Sequence, residues 1–228
     1  MDTDSGGRGK IIIMSNRLPM KISKRGGEIK LKESVGGLAT GLKTLDIEEK
    51  IFWIGWTGME EEKFTRDEKE SVEKRLRKKD VHPIFLSRQQ VKDYYLGFCN
   101  RSIWPLFHYF TEYADYSERM WRSYYDVNNL FLKELENVYE KGDVVWVHDY
   151  HLMLLPNMIR GKYQEARIGY FLHIPFPSFE VFRLFPLRRE IIEGLMGSDL
   201  IGFHTYDYVR HFLSCVRRLL GYETVFNR

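Results

Sequence analysis

The stretch from Val144 to Pro177, VVWVHDYHLMLLPNMIRGKYQEARIGYFLHIPFP, constrains the fold of this chain most. Val144 to Val147 is a short, β-branched apolar run, the pattern of a strand buried on both faces. His148, Asp149, Tyr150 and His151 follow where such a strand ends. Periodic apolar residues from Leu152 to Arg160 predict a helix, with Gly161 as its stop signal. Ile168 to Leu172 predicts a second buried strand, ended by the polar His173. Pro175 and Pro177 then keep the next turn from continuing as strand or helix. A strand–helix–strand unit of this kind sets polar residues along the carboxyl edge of a parallel sheet, where α/β folds bind their ligands.

The rest of the chain repeats the alternation. Lys10 to Met14 predicts a first strand, stopped by Ser15-Asn16-Arg17, and Leu18 to Glu33 predicts a loop or hairpin around Pro19 and Gly26-Gly27. The glycine-rich turn Ser34 to Leu42 runs into a helical pattern; it suits a phosphate at a helix N-terminus, or is a bare turn. Ile51 to Trp56 and Val81 to Leu86 predict strands. Glu60 to Lys79 reads as a charge-dense solvated helix. Ser87, with Gln90 three residues on, marks a capping box. The aromatic run Tyr94 to Tyr109 reads first as core, although Tyr95 and Trp104 carry polar handles that also suit a wet cleft. Trp121 to Tyr139 predicts a long amphipathic helix ending at Gly142. Two short helices broken by Pro186 are expected over Ser178 to Phe185 and Leu187 to Met196. Asp199 to Phe203 predicts a strand, Thr205 caps a last helix through Leu220, and Glu223 to Phe226 predicts one more strand. Strands and helices alternating at this spacing argue a parallel, doubly wound α/β sheet.

Composition excludes several classes. The 228 residues carry a net charge of +3 with basic and acidic residues interleaved, which gives no case for nucleic acid. Two cysteines, Cys99 and Cys215, make no disulfide framework and suit a reducing, cytoplasmic compartment. No apolar run approaches the roughly 20 residues of a membrane span. The polar, glycine-rich residues 1–9 are expected to be a disordered lead-in, and residues 10–228 one domain.

His148, Asp149, His151 and His173 do not have the spacing of a metal site, and no metal or cofactor is expected. No G-x-S-x-G elbow occurs, and the glycines after the first strand are neither in the G-x-G-x-x-G pattern nor close enough to it for a dinucleotide site. What remains is a carboxylate (Asp149), an imidazole (His173), a guanidinium (Arg17), a glycine turn and several rings at strand ends. Arg17 there suits a phosphate, gripped by two parallel hydrogen bonds. The residues alone point to a binder of a phosphorylated polar small molecule.

Ser15-Asn16-Arg17, Gly36-Gly37-Leu38, Ile54-Gly55-Trp56, Trp104-Pro105-Leu106-Phe107-His108-Tyr109, His148-Asp149-Tyr150-His151 and Leu172-His173-Ile174-Pro175-Phe176-Pro177 occur in this order in the trehalose-6-phosphate synthases, which the chain resembles from about Lys10 to its last residue. The HDYH and LHIPFP segments, about two dozen residues apart, are specific to that family and its near relatives. The resemblance implies the Rossmann-like N-terminal half of a two-domain GT-B glycosyltransferase, with helices on both faces of its sheet. It implies transfer of glucose, with retention, from UDP-glucose or another nucleotide-glucose to glucose 6-phosphate, giving α,α-trehalose 6-phosphate. No protein nucleophile is required, because the departing diphosphate helps take the acceptor proton on the same face.

Position by position, the resemblance implies that Arg17 holds the acceptor phosphate and that Trp56, Tyr95 and Trp104 line the acceptor pocket. It implies that Asp149 binds and orients acceptor hydroxyls, that Gly36 and Gly37 lie against the donor diphosphate, and that His173 contacts the transferred glucose. Asp149 and His173 are thus the expected catalytic pair. The family's donor-binding C-terminal domain, with its basic pair, its carboxylates and a further arginine, is expected to be absent from these 228 residues. The chain is then expected to supply the acceptor half of the site, as a fragment, a split-gene product or a shortened homologue. A separate C-terminal-domain polypeptide or self-association would complete it. A non-catalytic sugar-phosphate sensor or regulatory subunit, or a synthase using another phosphorylated acceptor such as glycerol phosphate, is the alternative.

Overall fold

A computed structural model describes residues 9–34, 41 and 48–225. Residues 1–8, the glycines Gly36 and Gly37, and Phe226 lie outside the described residues. Six parallel strands form the main sheet: β1 (Ile11–Arg17), β4 (Ile51–Glu60), β5 (Val81–Leu86), β6 (Val144–His148), β7 (Arg167–Phe171) and β8 (Leu200–Gly202). Their order is β5-β4-β1-β6-β7-β8, and β2 (Met20–Arg25) pairs antiparallel with β3 (Glu28–Glu33) as a separate hairpin. The first strand therefore lies at the centre, with Ile11 opposite Ile51 on one side and Val144 on the other. From β1 the sheet grows one way through β4 and β5 and the other way through β6 to β8. This reversal is the topological switch point of a Rossmann-like sheet, the place where a crevice opens at the carboxyl ends of the strands.

Alternation along the central strands builds a core on each face. Ile12, Met14 and Ile54 point into the larger core, which includes Tyr94, Phe98, Tyr124, Phe131 and Phe176. Ile13 and Trp53 point the other way, onto Val72 and Leu76 of helix α1 (Arg66–Arg77) and Met20 and Ile22 of the hairpin. Burying Leu76 fully contributes roughly 1.5–3 kcal/mol. A charge in its place would detach α1 from the sheet.

The larger core is covered by α2 (residues 88–107), α3 (Glu118–Glu136), α4 (Leu155–Lys162), α5 (Phe179–Phe182), α6 (Arg188–Leu195) and α7 (Tyr206–Leu220). Helix α2 begins on the Ser87–Gln90 capping box, is wound as a π-helix over Val91–Ile103, and ends in the α-turn Trp104–Phe107. Helix α3 starts at Glu118, ahead of the expected Trp121, because the Ser117 side chain caps it by accepting from the Met120 N–H. It buries Tyr124, Val127, Asn128, Phe131 and Leu135, the stripe that 3.6-residue periodicity requires.

Several other boundaries differ from the sequence expectation, each for a local reason. The charge-dense segment is two elements, a 3₁₀ turn over Glu61–Lys63 and then α1, because Thr65 and Glu68 form a capping box that restarts the helix. The helix expected over Leu152 to Arg160 begins only at Leu155, after a 3₁₀ turn over Tyr150–Leu152. Gly161 does not stop it; the helix runs to Lys162 and ends as Tyr163 turns to pack on Tyr139, ring centroids 4.5 Å apart. Residues 223–225 form no strand, and the sheet ends at β8, which has only three paired residues. Among the described residues no helix is long and apolar enough to cross a membrane.

Candidate functional site

A cavity of about 430 Å³ opens at the switch point, between the carboxyl ends of β1 and β6. The end of β1 supplies Ser15, Asn16 and Arg17, and the turn after β6 supplies His148 through His151. His173, which follows β7, and Tyr95 of α2 complete its polar wall, and Trp53 lies on its floor.

Strand β1 runs through Ser15 and Asn16 instead of stopping before them, because both side chains find buried partners. The Ser15 hydroxyl donates to the Arg17 carbonyl at 2.8 Å and accepts from the Trp53 indole N–H at 2.8 Å. Asn16 Oδ1 accepts from the Tyr94 hydroxyl at 3.2 Å. Arg17 is thereby delivered, exposed, at the mouth of the crevice. Its guanidinium carbon lies 4.2 Å from the centroid of Trp56 and 5.4 Å from that of Tyr95, a cation–π contact worth about 0.5–1 kcal/mol at such a site. Gly58, at φ +82°, lets the guanidinium lie there; a side chain at that position would collide with it. Among the described residues Arg17 has no carboxylate partner. A fixed guanidinium with its fork of donors open to a cavity is an anion site in waiting.

Asp149 is the other pole. Its backbone sits at φ +73°, ψ 169°, a conformation that a residue with a side chain adopts at a strain of about 1–3 kcal/mol. The twist turns the carboxylate back toward β7, where Oδ1 accepts from the His173 N–H at 3.3 Å, while its own N–H donates to the Phe171 carbonyl at 2.8 Å. Burial pushes the carboxyl up to about 6, against the pull of the Tyr150 and His173 N–H groups. At neutral pH it remains mostly ionised.

The imidazoles around it are held neutral. Burial, reinforced by the neighbouring His173, lowers His148 to about 3, and burial with the Arg17 charge lowers His151 to about 3. His173 is lowered too, by burial and then by His204. His148 Nδ1 and His173 Nε2 are 3.1 Å apart, so one ring donates its proton to the other. Among the described residues no three His, Cys, Asp or Glu side chains come together as metal ligands.

Arg17, Tyr95, Asp149 and His173 thus face one cavity. Trp56 is buried just behind it, supporting Arg17, and its indole N–H donates to the Met59 carbonyl at 3.0 Å. Trp104 is not among the lining residues: it is 40% exposed and stacks on His108 at 4.0 Å. Gly36 and Gly37 fall outside the described residues. Sequence reasoning missed Trp53 and Gly58. Trp53 belongs to the opposite face of β4 from Ile54 and Trp56, and strand alternation next to Trp56 was the signal available for it. Gly58 lies beyond the expected end of β4 and carried no signal.

The glycosyltransferase family 20 model matches residues 9–228. The chain belongs to that family. Over 228 residues it is 44% identical to alpha,alpha-trehalose-phosphate synthase (UDP-forming) A of Dictyostelium discoideum, covering 100% of this chain and 31% of that protein. The N-terminal domain of Candida albicans trehalose-6-phosphate phosphatase superposes with a TM-score of 0.78 at 31% identity, over 99% of this chain and 46% of that one. The alpha,alpha-trehalose-phosphate synthase (UDP-forming) of Burkholderia xenovorans in complex with glucose 6-phosphate superposes with a TM-score of 0.72 at 31% identity, over 92% and 43%. The chain therefore spans less than half the length of each of these relatives.

Proposed function

We propose that this family 20 chain forms the acceptor side of a retaining glycosyltransferase that moves glucose from UDP-glucose to glucose 6-phosphate, giving α,α-trehalose 6-phosphate. The observation that carries the reading is the juxtaposition, across one switch-point cavity, of a guanidinium with no carboxylate partner among the described residues (Arg17) and a mostly ionised carboxylate (Asp149). The two groups answer the two ends of a sugar phosphate. Arg17 grips the phosphate by two parallel hydrogen bonds, and Asp149 accepts from the sugar hydroxyls and aims the attacking one. The glucose-phosphate-bound relative of the same fold supports the choice of acceptor. Trp104 belongs to the pocket only if ligand binding draws it in.

In the reaction the C1–O bond to the diphosphate breaks and the C1–O bond to the acceptor oxygen forms on the same face. The acceptor proton passes to a diphosphate oxygen. His173 lies where the transferred glucose would approach, and Gly36 and Gly37 keep the diphosphate role that the family resemblance gives them. The second wall comes from a donor-binding domain of the GT-B kind, a part that a separate polypeptide or self-association can supply. A reducing cytoplasm suits the chain, since Cys99 and Cys215 are buried free thiols.

A second reading is a sugar-phosphate-sensing or regulatory subunit, favoured by the likeness to the N-terminal domain of a phosphatase. The test mixes the 228-residue chain with UDP-glucose and glucose 6-phosphate, with and without a family 20 donor-domain polypeptide, and reads trehalose 6-phosphate by mass spectrometry. Product that disappears in Asp149→Ala supports the transferase. Tight glucose 6-phosphate binding without product under either condition supports the sensor, and glycerol phosphate in place of glucose 6-phosphate tests the acceptor.

A further inference from the structure

The strained turn that carries Asp149 is held from beneath by side chains that do not line the cavity. Tyr124 of α3 is fully buried, and its hydroxyl donates to the Tyr150 carbonyl at 2.7 Å while accepting from the Met153 N–H at 3.0 Å. In a helix beginning at Asp149, the Met153 N–H would bond the Asp149 carbonyl. The phenol takes that donor instead, and the Asp149 carbonyl is left to accept from Leu152 N–H at 3.2 Å. Asn128, one helical turn along α3, donates through Nδ2 to the His151 carbonyl at 3.2 Å and to the Tyr124 carbonyl at 2.8 Å. The Tyr94 hydroxyl, whose one hydrogen goes to Asn16, stands 3.4 Å from the same His151 carbonyl. Two successive backbone carbonyls after Asp149 are therefore each fixed by a buried side chain of α3.

We propose that Tyr124 is a positioning residue for Asp149, its hydroxyl standing in for a backbone hydrogen bond in the turn after β6 and so holding the carboxylate in the crevice. An aspartate at φ +73° persists only where its surroundings over-determine it. Without the phenol, the Met153 N–H is free to complete an ordinary helical turn with the Asp149 carbonyl. That rearrangement returns Asp149 to negative φ and swings its carboxylate off the His173 N–H into cleft water. The role of the carboxylate toward sugar hydroxyls rests on the function proposed above; the clamp itself does not.

Tyr170 supplies the control. Its hydroxyl is also buried and close to Asp149, yet among the described residues it has no hydrogen-bond partner and pins nothing. The titratable groups facing Asp149 are His173, His151 and His204, with Cys99 and the phenols of Tyr94, Tyr124, Tyr150 and Tyr170.

The test labels aspartate carboxyls with ¹³C in the 228-residue chain, assigns Asp149 by the signal lost in Asp149→Asn, and follows its titration and the glucose 6-phosphate affinity. Tyr124→Phe should lower the Asp149 midpoint by about one pH unit, as the carboxylate gains water. It should also weaken glucose 6-phosphate binding about tenfold, with thermal unfolding confirming a folded chain. Asn128→Ala should shift both readouts the same way by less, and Tyr170→Phe should leave both unchanged. An Asp149 midpoint that is unchanged or raised in Tyr124→Phe overturns the proposal, whatever happens to affinity. Should Tyr124→Phe not fold, an unchanged or raised midpoint in Asn128→Ala overturns it instead. If the parent chain binds no glucose 6-phosphate, the function proposed above fails and the titration still decides the clamp.

Discussion

Two arginines of this chain live in opposite circumstances. Arg77, at the end of α1, is closed in: Nη2 pairs with Glu73 at 2.8 Å and Glu134 at 2.7 Å, and Nη1 meets His82 Nδ1 at 2.7 Å. Burial alone would push Glu134 up, but the His82 hydrogen bond and the Arg77 charge hold it below the usual carboxylate range. Arg17, at the end of β1, has rings for support and no counter-charge among the described residues. Both guanidiniums are anchored by neighbours, yet among the described residues only the first has its charge answered by carboxylates. A closed network contributes to folding. An open charge held in place over a cavity, at little gain to folding, is a preparation for something that arrives.

The contrast can be broken or sharpened by mutation. Asp149→Asn, placed in a complete enzyme, should lower turnover by about 10²–10³-fold, and near-normal turnover would remove its assigned role. The same change should stabilise the chain. Folding raises the Asp149 pKa to about 6, so the folded state holds the proton more tightly than the unfolded state between about pH 4 and 6. Burying the ionised form therefore destabilises by up to about 3 kcal/mol above pH 6, and the penalty disappears as pH falls to about 4. Urea unfolding at pH 7.5 and pH 4 should show the gain from Asn at the first and none at the second. Arg17→Ala should weaken glucose 6-phosphate binding by about 10²-fold while hardly affecting glucose; equal losses in calorimetry would end the phosphate role. Its stability should fall by no more than about 1 kcal/mol, the worth of the lost cation–π contact.

Glu134→Ala should do the reverse, leaving sugar-phosphate affinity alone and costing about 2 kcal/mol of stability. The figure is below that for a fully buried pair because Arg77 keeps 33% of its side chain in water. Since folding depresses the Glu134 pKa, this contribution is present at neutral pH and fades as acid protonates the folded carboxylate. A Glu134 variant that lost ligand affinity without losing stability would erase the distinction between the two regions. The smallest expected effect is that of EDTA, which should change glucose 6-phosphate affinity less than about twofold. A large loss restored by zinc would turn the histidines beside Asp149 into ligands.

The strands of the sheet were legible because each is a short apolar run closed by polar residues, and the Ser87 cap and the α7 cap at Thr205 were legible from their side chains. Arg17, Asp149 and His173 were legible for the same reason, as polar residues at strand ends. What escaped depends on partners distant in the chain. Nothing in Val91–Ile103 marks it for π-helical winding. The late start of α4 needs the Tyr124 hydroxyl at Met153, which no local pattern contains. Trp104 shares the chemistry of Tyr95, but α2 leaves it stacked on His108 outside the cavity.

The central place of β1 also governs when the crevice can exist during folding. Lys10 and Asp143, which tie the start of β1 to the start of β6, are 133 residues apart in sequence. The β1–β6 contact encloses a very long loop, and such non-local parallel pairing is entropically late and slow. The Arg17 wall and the Asp149 wall thus meet only after β6 has been synthesised and the sheet has closed. Partly folded chains expose the inner edge of β1 to other strands until then. A sugar phosphate that bridges the two walls would act as a late-stage folding ligand, and its capture during refolding would time the closure of the sheet.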